Sequence, residues 1–397
     1  MDKILYLAFI REDSESLGFV KKVYSQCKAF NKLGNESYLY ISRKDSAELY
    51  RFNASGMENI HSFSYSRKAC FKETNFLMRK LKNLMRFQEY LKWFKEVIKI
   101  IEPNKVYIRR ISIVTNSLIE LIGDLNNRGI KVFYEYPDFP DVPWVKLKKK
   151  GISNRIMYRF EKNRINKLKK HLYRLVAISV DESIKDKDVE IIYIRNGIDI
   201  SEIKVSKREK EINKTHEINL VGVANLGFWH AYDRVLKGMQ EYYQSSGSQS
   251  VAVNFHIVGE GKEKRNLERI VADYNLHDYV VFHGSKNGQE LDRIFDKSDI
   301  GIGILGNHRK ELYGDSSLKN REYCARGIPF VIAATDLDFP YELNFVHRIN
   351  ADNSSVNIDA LINFYRQLGS EDFKSIMREY SEQKLQWKEK MKFILSE

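Results

Sequence analysis

What this chain lacks narrows its identity first. Only three cysteines, Cys27, Cys70 and Cys324, occur in 397 residues, and none sits in a C-x-x-C pair or a Cys/His cluster. That argues against a disulfide framework and a structural zinc site, and it fits a reducing cytoplasm. No run of eighteen apolar residues appears, so no segment is expected to span a bilayer. Met1, Asp2, Lys3, Ile4 and Leu5 lead into a short strand, and Arg11, Glu12 and Asp13 end that apolar run too early for a signal peptide. Internal repeats and low-complexity segments are absent. So are helix-turn-helix, zinc-finger and RNA-binding aromatic signatures, which argues against nucleic acid as the partner despite a net charge of +13.

The charge is concentrated. Between Trp144 and Arg174 stand twelve basic residues and one acid, Glu161; between Arg67 and Lys99 stand ten basic residues and three acids. Phe71, Phe76, Leu77, Leu81, Leu84, Met85, Phe87, Leu91, Trp93 and Phe94 interleave one stretch. Trp144, Ile156, Met157, Phe160, Ile165 and Leu168 interleave the other. At helical spacing both become basic amphipathic helices, which suit an anionic membrane surface. A core-packed helix with a solvated basic face is the plainer reading of 67–99.

The most informative stretch is Gly314 to Pro329, GDSSLKNREYCARGIP. An apolar run from Ile300 to Leu305 reads as a buried strand before it, with a polar loop from Gly306 to Tyr313 between. A second apolar run, Phe330 to Ala334, follows. Strand, loop, helix and strand form the unit of a parallel α/β sheet. The helix should open near Ser316 or Ser317, whose hydroxyls suit N-cap positions. The free N–H groups of Ser316, Ser317, Leu318 and Lys319 then make an anion site. A first-turn Lys319 opposes the helix dipole. Aiming a point charge at phosphate is one reason for it, simple solvation another. Glu322, one turn on, suits sugar hydroxyls or an ordinary surface role. Phosphate and polyol side by side indicate a nucleotide sugar.

The same segment resembles the donor-site helix of GT-B glycosyltransferases, most closely family 4 and its relatives in bacterial capsule, O-antigen and exopolysaccharide synthesis. Their pattern is a Glu, seven residues, a second Glu, then a small residue, Gly and Pro. The second Glu falls on Glu322, and the sequel on Gly327, Ile328 and Pro329. The first falls on Gly314, a departure for which Asp315 or Glu311 is the expected substitute. The family also places an Arg and a Lys after the first strand of its second domain. Here Val223 to Arg234 offers His230 near the Lys position and no Arg near the other. Its W-H-x-Y-D-R resembles a capsule-type subgroup in which that pair is replaced. The resemblance therefore implies that Lys319, with His230, carries the diphosphate.

Other segments extend the likeness over residues 1 to about 375. Ile194 to Asp199 resembles the P-N-G-V-D that closes the first domain, with Arg195 in place of Pro. Ile218 to Gly222, Phe255 to Gly261, Val280 to Gly284 and Ser298 to Ile300 resemble successive strands of the second. Ile4 to Ala8, followed by Gly18 and a helix, resembles the opening strand and loop. The implied architecture is α/β: two Rossmann-like doubly wound parallel-sheet domains facing a cleft. They span 1–200 on the acceptor side and 218–369 on the donor side, with a charged linker over 201–217. A helix over 370–397 returns toward the first domain.

In the first domain, Lys105 to Arg110 and Lys131 to Pro137 read as strands whose ends line a ligand crevice. Arg109, Arg110, Glu135 and Asp138 are expected there, and Y-E-Y-P-D-F-P resembles the family's E-x-P segment. Glu135 would orient an acceptor hydroxyl or the transferred sugar, or merely cap a loop.

The resemblance implies a retaining, metal-independent transfer. Lys319, Glu322 and Glu135 form the catalytic group, with donor contacts from Gly18, His230, Gly284 and Ser316 to Lys319. No cofactor is implied beyond a UDP- or GDP-sugar donor, and the acceptor is a glycan or a lipid-linked glycan. The location is cytoplasmic, on the inner face of the plasma membrane. The triplets Asp186-Lys187-Asp188 and Asp336-Leu337-Asp338 have D-x-D form, which is common by chance. Gly314 and the missing Arg/Lys pair leave a second reading, an inactive GT-B scaffold that partners an active enzyme.

Overall fold

The computed structural model describes residues 1–10, 17–70, 75–111, 114–137, 151–179, 181–208, 216–245, 251–369 and 372–395. It divides into two compact units, one of Met1–Ile194 with Lys390–Glu397, the other of Arg195–Glu389.

The first unit carries strands β1 (Lys3–Ala8), β2 (Glu36–Ser42), β3 (Ser46–Asn53), β4 (Gly56–Ser64), β5 (Lys105–Arg109), β6 (Lys131–Tyr136), β7 (Arg174–Ile178) and β8 (Ile191–Ile194). Its helices are α1 (Leu17–Lys32), α2 (Phe76–Ile101), α3 (Asn116–Asn127) and α4 (Gly151–Lys169). The strand order is β4-β3-β2-β1-β5-β6-β7-β8. Six strands are parallel. The β3–β4 hairpin adds two antiparallel ones, a departure from the purely parallel sheet expected. Strands buried on both faces read as continuous apolar runs, and β1 shows it: Leu5 and Leu7 join the α2 and α3 core, while Tyr6 turns toward Gln26 of α1.

The second unit carries β9 (Glu217–Val223), α5 (Tyr232–Ser245), β10 (Ala252–Val258), α6 (Lys264–Asp273), β11 (Val280–Gly284), α7 (Gly288–Phe295) and β12 (Ile300–Ile302). These are followed by α8 (Leu318–Arg326), β13 (Phe330–Ile332), β14 (Val346–Arg348), α9 (Ile358–Gln367) and α10 (Phe373–Tyr380). Its sheet is all parallel, in the order β11-β10-β9-β12-β13-β14.

The chain passes between units at Ile194–Arg195, ahead of the expected linker. Of that linker, residues 201–208 are tied into the second unit: Ser206 donates its N–H to Arg326 O at 2.8 Å, and Arg208 donates two hydrogen bonds, each 2.9 Å, to the Asp299 carboxylate. The single terminal helix expected over 370–397 is instead broken. A π turn at Ser381–Leu385 ends α10, and extended Gln386 pairs with Ile198 before a short helix α11 (Trp387–Lys390). Ser381 contributes by bonding its own hydroxyl to Met377 O at 2.9 Å, competing for a helix carbonyl.

Candidate active site

In the second unit the sheet order reverses between β9 and β12, which lie side by side while the chain runs outward from each. A doubly wound sheet binds ligands outside the carboxyl ends of its strands at that switch point. The two loops that leave it, 224–231 after β9 and 303–317 after β12, are laced together. Gly306 donates its N–H to Trp229 O at 3.1 Å, and Leu305 to His230 O at 3.3 Å. Arg309 grips Asp233 with two bonds, 2.9 and 2.7 Å, and also donates to Phe228 O at 2.9 Å. The Lys310 ammonium lies 5.0 Å from the centre of the Trp229 ring. Gly306 allows this approach, since a Cβ there would stand 2.7 Å from the Cβ of Ala231.

Lys319 and His230 both lie beside Tyr232 here. Lys319 Nζ donates to the Tyr232 hydroxyl at 3.3 Å and stands 5.5 Å from that ring's centre. Burial pulls the Lys319 pKa down from 10.5 to about 7, with Asp315 opposing the shift. His230 is buried, and its Nδ1 accepts the Gly227 N–H at 3.1 Å. Burial, reinforced by the Lys319 charge, holds the His230 pKa at about 2, so the ring is neutral. With Nδ1 accepting, the proton is assigned to Nε2, which is left as a donor.

The start of α8 is shaped by bonds the sequence did not announce. Asn196 donates its backbone N–H to Ser316 Oγ at 2.8 Å and its side-chain amide to Ser316 O at 2.5 Å. Arg321 donates to Asn196 O at 2.5 Å and to Ser317 O at 3.0 Å. Ser317 is the N-cap residue, yet its hydroxyl caps nothing.

Asp336 and Asp338, the D-x-D pair, face inward: Asp336 holds Arg321 at 2.9 and 3.0 Å, and Asp338 bonds both Arg321 and Arg195. Sequence reading passed over Arg321 because a buried arginine looks like a surface one until its partners appear. The sign available was two acids two residues apart, just past a strand.

Glu322 is half-buried one turn beyond Lys319. Its Oε1 accepts from Arg326 at 3.0 and 2.9 Å, and Oε2 takes no bond among the described residues. Gly314 forms a bridge with Thr335 and accepts the Asn307 amide at 3.2 Å. The expected stand-ins for the missing first Glu divide: Asp315 is buried against Asn320 at 3.0 Å, while Glu311 is exposed. Burial and the neighbouring Asp336 push the Asp315 pKa up. Gly284 ends β11 at φ 65° and accepts the Gly259 N–H at 2.7 Å.

In the first unit, Glu135 is fully buried on β6. Its Oε1 meets Arg109 at 2.7 Å and Lys22 at 3.1 Å, while Oε2 accepts from Gln26 at 2.6 Å and Tyr107 at 2.8 Å. Burial would raise its pKa, but Lys22 and Arg109 override it and hold the carboxyl at about 2. Both oxygens are thus occupied by the protein, which makes Glu135 a brace for Arg109 and Lys22. Arg110 stacks on Tyr136 at 4.0 Å, and Asp138 lies outside the described residues. Gly18 stands exposed in the first turn of α1, not in a loop before it.

The expected basic helices also belong to this unit. The C-terminal part of α2 buries Phe87, Leu91, Phe94 and Ile98, while Leu81 and Leu84 are exposed. On α4, Ile156 and Phe160 are exposed among Arg155, Arg159 and Lys162; residues 144–150 lie outside the described residues.

Residues 204–336 match the family model described as glycosyl transferases group 1. No curated protein sequence matches the chain. Solved structures are similar to nearly all of it. Sucrose-phosphate synthase from Thermosynechococcus elongatus superposes with a TM-score of 0.66 at 12% identity, covering 99% of this chain and 98% of that one. The catalytic domain of starch synthase IV from Arabidopsis thaliana gives 0.64 at 11%, covering 100% and 98%. A glycosyltransferase from Rickettsia africae gives 0.61 at 10%, covering 100% and 98%. The fold class is α/β of the GT-B kind, two Rossmann-like units, and the matched domain marks the chain as a glycosyltransferase.

Proposed function

We propose that the chain moves a sugar, with retention of configuration and without a metal, from a UDP- or GDP-sugar to a glycan or lipid-linked acceptor in cell-surface polysaccharide synthesis. One observation carries the donor half of this reading: Lys319, Tyr232 and His230 converge where the first-turn N–H groups of α8 open onto the β9/β12 switch point. Breaking the sugar–phosphate bond leaves charge on the diphosphate. Fixed N–H donors, the Lys319 ammonium and the His230 Nε2–H stabilise that charge more in the transition state than in the ground state. Glu322 Oε2 is the acceptor for ribose hydroxyls. Metal independence is supported by the engagement of Asp336 and Asp338 with Arg321.

The inactive-scaffold reading has Gly314 and the inward Asp315 in its favour. Against it stands Lys319, a partly buried cation whose only hydrogen-bond partner among the described residues is a tyrosine hydroxyl 3.3 Å away. Such a charge is costly to keep without a ligand that uses it. The deciding experiment is thermal stability of the purified protein against UDP, GDP, dTDP and their sugars. A ligand bound only by the folded state raises the melting temperature by mass action. A shift with one nucleotide supports the donor site and names the base; silence across the panel favours the scaffold.

The exposed Ile156 and Phe160 among Arg155, Arg159 and Lys162 support docking on an anionic membrane surface from the cytoplasmic side. Cosedimentation with anionic vesicles should weaken with salt and with Phe160→Ser. Equal binding to neutral vesicles refutes it.

A further inference from the structure

Asn196 lies at the end of the connection out of the first unit, two residues past Ile194, yet its bonds go to the start of α8. A peptide plane holds its C=O and the next N–H on opposite sides. Asn196 fixes the Ser316 carbonyl and Arg321 fixes the Ser317 carbonyl, so the N–H groups of Ser317 and Leu318 are turned the other way. Those are first-turn donors without intrahelical partners.

The same strand continues into a second tie. Ile198 donates to Leu385 O at 2.9 Å and accepts from Trp387 N at 3.0 Å, beside the second passage of the chain at Glu389–Lys390. Gly197 makes this fit possible, because a Cβ there would stand 2.8 Å from the Trp387 N. Residues 195–198 thus touch the α8 start on one side and the returning chain on the other.

We infer that Asn196 is a positioning residue: it aims the Ser317 and Leu318 N–H groups at the donor diphosphate and links occupancy of that site to both connections between the units. The inference rests on the donor-site reading above. Its energetic basis is ordinary. Losing the side-chain hydrogen bond loosens the Ser316 carbonyl, and one such bond is worth about 1 kcal/mol, or roughly fivefold in affinity.

The test compares wild type, Asn196→Ala and the milder Ser316→Ala, which deletes only the acceptor of the Asn196 N–H. UDP and GDP binding is measured by calorimetry, and hydrogen exchange is followed in peptides covering 195–198 and 386–389. The expected result is binding weakened at least fivefold by Asn196→Ala and less by Ser316→Ala. Nucleotide should protect both peptides in wild type and lose that effect in Asn196→Ala. A purely structural role would lower the melting temperature and leave the exchange response to saturating nucleotide intact. Wild-type affinity in both variants, or unchanged protection, overturns the inference while the donor site stands. Should wild type bind neither nucleotide, the donor-site reading and this inference fall together.

Discussion

Lys319 permits the sharpest test, because its burial predicts opposite effects on stability and on binding. Its pKa is 10.5 in the unfolded chain and about 7 when folded. A gap of that size corresponds to about 5 kcal/mol at most, and less here because the side chain keeps part of its exposure. The unfolded chain binds the extra proton between pH 7 and 10.5, so the penalty is fully present below pH 7 and fades as pH rises toward 10.5. Replacing Lys319 by Met removes the penalty and forfeits the Tyr232 contact, worth about 1 kcal/mol. The variant should therefore be more stable than wild type near pH 6.5, by about 2 kcal/mol, and less stable by roughly 0.5–1 kcal/mol above pH 10.5, where only the lost contact remains.

Donor binding should move the other way. Above pH 7 the free site is mostly neutral, and a bound diphosphate restores the proton by stabilising the ammonium. A nucleotide sugar is the proper probe, since its diphosphate is a diester and lacks the terminal-phosphate ionisation near pH 6. Affinity should fall about 25-fold between pH 7.5 and 9, with proton uptake visible as a buffer-dependent calorimetric heat. Lys319→Arg, which stays charged, should flatten that slope. Wild-type affinity independent of pH across this range refutes the reasoning, as does a Lys319→Met protein that is less stable yet binds as well.

Three further outcomes follow from the same site. His230, held at about 2, binds no proton when folded above pH 4 while the unfolded chain takes one below 6.5. Stability should then fall as pH drops, by about 2 kcal/mol at pH 5 from this residue alone, and denaturant titrations of His230→Gln should show a shallower acid slope. Arg321→Ala takes the guanidinium from buried Asp336 and leaves Asp338 to Arg195, and chemical denaturation should register a loss of about 3–5 kcal/mol. Gly306→Ala drives a methyl against Ala231 and forces the two loops apart, a cost of about 1–3 kcal/mol in melts that nucleotide should no longer offset.

Much of the second unit is legible in the sequence. Apolar runs too short for helices became β12 and β13, because strands buried on both faces need no alternation, while β9 and β10 were expected from the resemblance. Ser317, Lys319 and Glu322 were legible because a helix start imposes fixed spacing on the groups that serve it. The β3–β4 hairpin escaped notice, since its outer strand is exposed and carries no apolar pattern. The break in the terminal helix escaped as well, for it depends on a strand partner at Ile198 nearly two hundred residues away.

What the sequence by itself determined is therefore whatever rests on neighbours along the chain: the strand–loop–helix order, the helix start near Ser316 or Ser317, the placement of Lys319 in its first turn, and the basic faces of α2 and α4. What only the tertiary structure decided is how each charge is satisfied. Glu135 read as a group orienting a hydroxyl or a sugar, or capping a loop, and Asp315 as a stand-in for the missing first Glu, until folding surrounded one with Lys22, Arg109, Gln26 and Tyr107 and the other with Asn320 and Asp336. The physical reason is that a buried charge is priced by its partners and its distance from water. Those partners come from segments that only the fold brings within 3 Å, such as Asn196 and Ser316 at 2.8 Å.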